Sequence, residues 1–231
     1  MMVSSPPAIV QPAPPSAGAR LVFAAHRLMA RITDNRYAFT PEIDPQRGVF
    51  HADCSDLIDY LALKVRPDAI AALPRDPGHD APRAWNFYSY FMAQPLVGQP
   101  ARGPWLRVGT PGALLPGDVV AWKNTHYVPH ESSTGHVMLV SDMPRVVKQA
   151  GAIAGYELPV IDATASGHGP TDPRHEGRSG LGQGTVYLPV TANGEAAGFA
   201  WSAVHGAHAS TVREPSLAFG RLLDPTPGAR L

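Results

Sequence analysis

Cys54, His136 and Asp162 are the residues of this chain whose types and spacing could do chemistry. Cys54 is the single cysteine among 231 residues. It stands in HADCSDLIDYLAL, residues 51–63, directly after Asp53 and at the start of an amphipathic run. Aspartate is a favoured N-cap, because its carboxylate accepts N–H groups of the first helical turn. Cys54 would then be the first helical residue, where the positive end of the helix dipole favours a thiolate. The free N–H groups of that turn, including that of Cys54, could also donate to an oxyanion. The plainer reading is a small buried hydrophobe at the end of the stripe Leu57, Ile58 and Leu61.

A thiolate nucleophile needs a base and, commonly, a third polar group to orient that base. Most of the ten histidines lie in polar, Gly-rich or Pro-rich segments, where a solvated surface role is the default. His136 differs, because it opens the apolar run VMLV and would be held rigidly at a sheet edge. Asp162 interrupts the apolar run PVIDATAS, 26 residues further on. A carboxylate in such a strand is costly to bury without a partner, and an imidazole N–H on a neighbouring strand would be one.

These side chains need a helix start and two strands. Residues 19–35 read as a helix with Leu21, Ala25, Leu28 and Ile32 on one face. Residues 37–50 carry Pro41, Pro45 and Gly48 and read as a loop. A second helix is predicted from Cys54 to Val65, closed by Pro67. Residues 66–82 are broken by Pro and Gly, 81–94 read as a short aromatic helix, and 95–112 as another loop. From Leu114 the texture is β, with strands predicted over 114–123, 135–144, 155–166, 184–192 and 198–206. Helices first and a meander afterwards argue for one α+β domain, an antiparallel sheet with N-terminal helices packed on it, over 19–231. Residues 1–18, rich in Pro, Ala and Ser, read as a disordered leader and not as a secretion signal.

Composition removes several function classes. Nineteen basic residues balance nineteen acidic ones, so the chain lacks the basic footprint of a nucleic-acid binder. No apolar run reaches the length of a membrane span. One cysteine excludes an intrachain disulfide and multi-thiolate zinc sites. A metal site would draw on His126, His130 and His136 or on His168 and His175; His126 and His130 have helical ligand spacing, but Pro129 lies between them, so no metal is assigned, and no cofactor is implied.

Four blocks in order, DCSDLIDYL, LLPGDVVAW, TGHVMLVSD and VIDATAS, resemble the NlpC-type cell-wall peptidases of the papain-like superfamily. They cover roughly residues 50–166, with an insertion at about 66–112. The resemblance implies a papain-like fold with Cys54 as nucleophile, His136 as base and Asp162 as orienting residue. It also implies an amide bond of a peptidoglycan stem peptide as substrate, in the cell envelope or outside the cell. Tyr37 matches a tyrosine that lines the site in that family. Asp53, Ser55 and Asp56 at the helix start, with Trp85 and Tyr88 of the aromatic helix, are the further substrate-binding candidates.

Where the family carries glycine after Asp-Cys-Ser, this chain carries Asp56. Two anions beside Cys54 oppose thiolate formation. The alternative function is therefore a non-catalytic module that binds a peptide or glycan on the same fold.

Overall fold

The computed structural model describes residues 14–124, 133–169, 172–174, 177–202 and 216–225. Ser16 accepts the Ala19 N–H through its hydroxyl and opens α1 (Ala17–Met29), which buries Leu21, Ala25 and Leu28. The helix therefore begins inside the stretch expected as leader, whose residues 1–13 lie outside the described residues. It also ends earlier than the predicted 35. The N–H groups of Thr33 and Asp34 are drawn to the Gly48 carbonyl, at 2.8 and 2.9 Å, and the chain becomes a strand.

That strand corrects the expected loop at 37–50. β1 (Asp34–Tyr37), β2 (Glu42–Asp44) and β3 (Val49–Ala52) form a three-stranded sheet, with β3 in the middle. Pro41 and Pro45 flank the edge strand β2, a position where a missing N–H costs no ladder bond. The register sets Tyr37 opposite Ala52, and β3 runs directly into α2 (Cys54–Val65).

A short helix α3 (Pro67–Ala71) and the aromatic helix α4 (Ala84–Ala93) follow. The rest of the chain supplies β4 (Trp105–Val108), β5 (Val119–Lys123), β6 (Gly135–Val140), β7 (Arg145–Gln149), β8 (Ala152–Thr164), β9 (Gly180–Pro189) and β10 (Ser216–Leu222). These build a seven-stranded sheet in the order β4-β10-β5-β6-β8-β7, with β9 also on β8. Every pairing in it is antiparallel.

Alternation along the strands separates two cores. Val119, Ala121, Val137, Leu139, Ile161 and Ala163 meet Cys54, Leu57, Ile58, Phe87 and Phe91 from the helices. Val120, Trp122, Met138, Val140, Val160 and Phe199 form the other apolar cluster. The fold is thus α+β, helices against an antiparallel sheet. The 66–112 segment is part of it: Phe91 and Trp105 lie in the same core as Leu61, at 5.1 Å between ring centroids.

The Pro-Gly-Asp turn before β5 pins the helices to the sheet. Gly117 has φ +95°, and a Cβ there would stand 2.2 Å from the Gly18 Cα of α1. Asp118, buried, accepts the Leu115 N–H at 2.8 Å and two Arg221 nitrogens at 2.8 and 2.7 Å, joining β5 to β10. β4, β7 and β10 add three strands beyond the predicted set. In the expected strand 198–206, Ala200 makes only a bridge to Tyr187, and residues from 203 lie outside the described residues. No helix among the described residues is long and apolar enough to cross a membrane.

Candidate active site

Asp53 caps α2. Its Oδ1 accepts the N–H groups of Ser55 and Asp56, at 2.8 and 2.9 Å, and the Ser55 hydroxyl at 2.8 Å. Asp56 closes the capping box by accepting the Asp53 N–H at 3.2 Å. The cap uses two of the N–H groups that could serve an oxyanion and leaves that of Cys54 unused by it.

Cys54 is the first residue of this helix and is 3% exposed. Its surroundings overturn the expected lowering of the thiol pKa. Burial is the largest influence and pushes the thiol well above its ordinary value, the Asp53 charge adds to this, and the Val137 and Ser55 N–H groups that face the sulfur oppose it. The helix dipole acts here, but desolvation outweighs it.

Tyr37, half-buried, stands beside the same thiol because β1 is zipped to β3. Burial, then the nearby Cys54 and Asp53, push its phenol well above the ordinary range, so it is a neutral O–H donor. The Tyr37 N–H is held by Ser179 Oγ at 3.1 Å, and Asn35 binds the Leu181 backbone twice at 2.8 Å. β1 is thereby fixed to β9.

His136 and Asp162 meet as the strand pattern predicts. Their strands are neighbours, and His136 Nε2 lies 2.6 Å from Asp162 Oδ2. An ionised carboxylate only accepts, so Nε2 carries the proton and Nδ1 is the ring nitrogen left to act as a base. Trp122 and Trp201 wall the imidazole, at 5.0 and 5.2 Å between centroids. Cys54 reaches this pair through β6: the N–H that faces its sulfur belongs to Val137, the residue after His136. The Asp162 charge also acts on the thiol. Among the described residues, no hydrogen bond joins the sulfur to the His136 ring.

Asp162 is fully buried and has more partners than one histidine. Arg174 binds its Oδ1 at 2.8 Å, and His168 Nε2 lies 2.8 Å from Oδ2. Burial alone would raise this carboxyl, but the His168 charge and the hydrogen bonds of His136 and His168 hold it well below the usual range. Asp172 completes the cluster, taking Arg174 at 2.8 Å and the His168 N–H at 2.9 Å. His168 and Arg174 fall in the segment 167–184, whose Gly-rich texture reads as solvated loop. One signal pointed to them: a buried carboxylate has more acceptor sites than His136 alone can fill.

Two spaces open at the start of α2. A narrow slot of about 10 Å³ is lined by Tyr37, Cys54, Arg83, Ala84 and Thr134. A groove of about 530 Å³ is lined by Phe39, Asp53, Asp56, His79, Asp80 and Arg83. Asp53 and Ser55 line both. Burial, then the Asp53 charge, push the Asp56 carboxyl up to about 7.

Trp85 and Tyr88 line neither space, which corrects their reading as cleft residues. The Trp85 indole is turned to Asp76, at 2.8 Å, and Tyr88 packs on the helix-side core with Lys123 over its ring. α4 covers the sheet, and only its N-terminal Arg83 and Ala84 reach the slot. Among the described residues no group of three or more His, Cys, Asp or Glu could hold a metal ion. His126, His130 and His175 lie outside the described residues.

No family model matches the chain, and no solved structure does. An uncharacterized protein of Acanthamoeba polyphaga mimivirus is 31% identical over 101 residues, covering 38% of this chain. The match spans 44% of that viral protein, less than half its length.

Proposed function

We propose that this protein is a thiol hydrolase that cleaves an amide bond, on a papain-like fold akin to that of the NlpC-type cell-wall peptidases. The observation that carries the reading is the 2.6 Å bond of His136 to Asp162, on the strand whose Val137 N–H faces the Cys54 sulfur at a helix start. In this reading His136 Nδ1 takes the thiol proton as the sulfur attacks the substrate carbonyl. The Cys54 N–H, spared by the Asp53 cap, donates to the oxyanion. His136 then protonates the leaving amine, and water hydrolyses the thioester. Tyr37 is placed to donate a hydrogen bond across the slot. By resemblance the substrate is a peptidoglycan stem peptide, in the cell envelope.

Hydrolysis of muropeptides by the wild type and by Cys54→Ala tests this. Loss of the nucleophile is expected to lower turnover by on the order of 10⁴-fold or more with the fold retained. Full turnover by the variant would end the proposal.

A second reading has its own observation. The Cys54 thiol is buried and pushed up by Asp53, with Asp56 where the family carries glycine, which suits a site that binds without cutting. Muropeptides would then bind without turnover, and Cys54→Ala would leave the affinity unchanged.

A further inference from the structure

The hydrogen-bond inventory behind the proposed base fixes a charge. Asp162 Oδ2 lies 2.6 Å from His136 Nε2 and 2.8 Å from His168 Nε2, while Oδ1 is occupied by Arg174 at 2.8 Å. His168 Nδ1 lies 2.9 Å from the carbonyl oxygen of Trp201. A carbonyl and an ionised carboxylate only accept, so both His168 nitrogens must donate. Turning the ring over would put carbon atoms at both contacts and lose both bonds. A proton on the Asp162 carboxyl would have to fit between Arg174 and two imidazole nitrogens.

We infer that His168 is an imidazolium, and that it is a positioning residue which shares Oδ2 with His136 and weakens that oxygen's hold on the His136 proton. This deepens the thiol-hydrolase reading and rests on it for its catalytic consequence. The surrounding charges balance without His136: Asp162 and Asp172 against Arg174 and His168. A proton on His136 Nδ1 would therefore add a net positive charge to a buried, already neutral cluster. Cys54, buried beside this cluster, rests as a thiol.

Among the groups facing His168, the Asp162 carboxylate and the Trp201 carbonyl favour the cation, and the Arg174 charge opposes it without prevailing. Asp162 comes from β8, and Asp172 and Arg174 from the turn before β9. Trp201 lies tilted against the ring at 4.2 Å between centroids, and Gly184 of β9 leaves room for the His168 Cδ2. Burial would lower the His168 pKa, but the Asp162 charge and hydrogen bond raise it above the ordinary histidine value.

Two measurements test the inference on the full chain without substrate. In wild-type protein, long-range ¹⁵N–¹H spectra are expected to show both His168 nitrogens protonated at pH 7.5; a neutral ring would overturn the assignment. In His168→Gln, whose amide can still donate to Asp162 but carries no charge, iodoacetamide alkylation of Cys54 at pH 7 is expected to rise about tenfold, a shift of one pH unit. Loosened packing around the buried thiol would raise the rate at every pH alike, whereas the charge effect moves the midpoint of the alkylation pH profile down by about one unit; an unmoved midpoint, or a rate that stays the same or falls, would overturn the positioning role. If His168→Gln does not fold, the wild-type spectrum decides alone. Neither readout depends on hydrolysis, so a hydrolase reading lost in Cys54→Ala is distinguishable from a neutral His168.

Discussion

The two ends of the site both withdraw carboxylates from water, Asp56 partly and Asp162 fully, with opposite results. At the α2 start, Asp53 and Asp56 face each other across a capping box, and Asp56 is pushed up to about 7 by burial and its neighbour's charge. Behind His136, Asp162 is buried more deeply, yet two histidines and an arginine hold it low. Burial has the same sign at both places, so the partners decide the outcome. One end is a completed ionic cluster that fixes geometry. The other is an anionic rim with incomplete compensation, open to a groove.

The largest test of that contrast is Asp162→Ala. It strands His168 and Arg174 in the interior and is expected to cost about 3–5 kcal/mol in urea unfolding. Next comes the dependence of stability on pH, which should differ in sign between the ends. The raised Asp56 pKa means that its contribution is full below the ordinary carboxylate value and is lost as pH rises from about 4 to 7. The lowered Asp162 pKa means that its contribution is present above the ordinary value and is lost as pH falls below it. Denaturation midpoints across pH should therefore lose the neutral-side decline in Asp56→Asn while keeping the acid-side one.

Asp53→Asn keeps a good cap while removing a charge that acts on both the thiol and Asp56. Cys54 alkylation is expected to quicken several-fold, and the Asp56 carboxyl ¹³C titration should move down from about 7. The smallest expected effect is that of Ser55→Ala. It removes one hydroxyl bond to Asp53 and should cost about 1 kcal/mol or less, read from the urea midpoint.

The sequence showed one end of this comparison better than the other. The α2 start was legible from five residues, because capping is local chemistry: Asp53 before the apolar stripe and Asp56 three residues on. The His136–Asp162 bond was legible because each residue breaks an apolar strand. His168 and Arg174 were not, since their order comes from docking on Asp162, a contact that no local pattern encodes. β1 and β3 were hidden for the same reason. The segment between them carries Pro41, Pro45 and Gly48 at turn spacing, and they become strands only by pairing within one sheet that also holds β2. Trp85 and Tyr88 misled because an aromatic helix suits a cleft wall and a core equally.

The placement of β10 governs how the molecule can be assembled. Its residues follow β9 in sequence, yet it lies between β4 and β5. During synthesis both neighbours emerge long before it, each with an unpaired ladder edge. The sheet therefore stays split into two pieces until Ser216–Leu222 leaves the ribosome and is inserted between them. Final closure must be a late, long-range event, which topology makes slow. Arg221, arriving with β10, is the residue that then fills the Asp118 carboxylate and locks the seam.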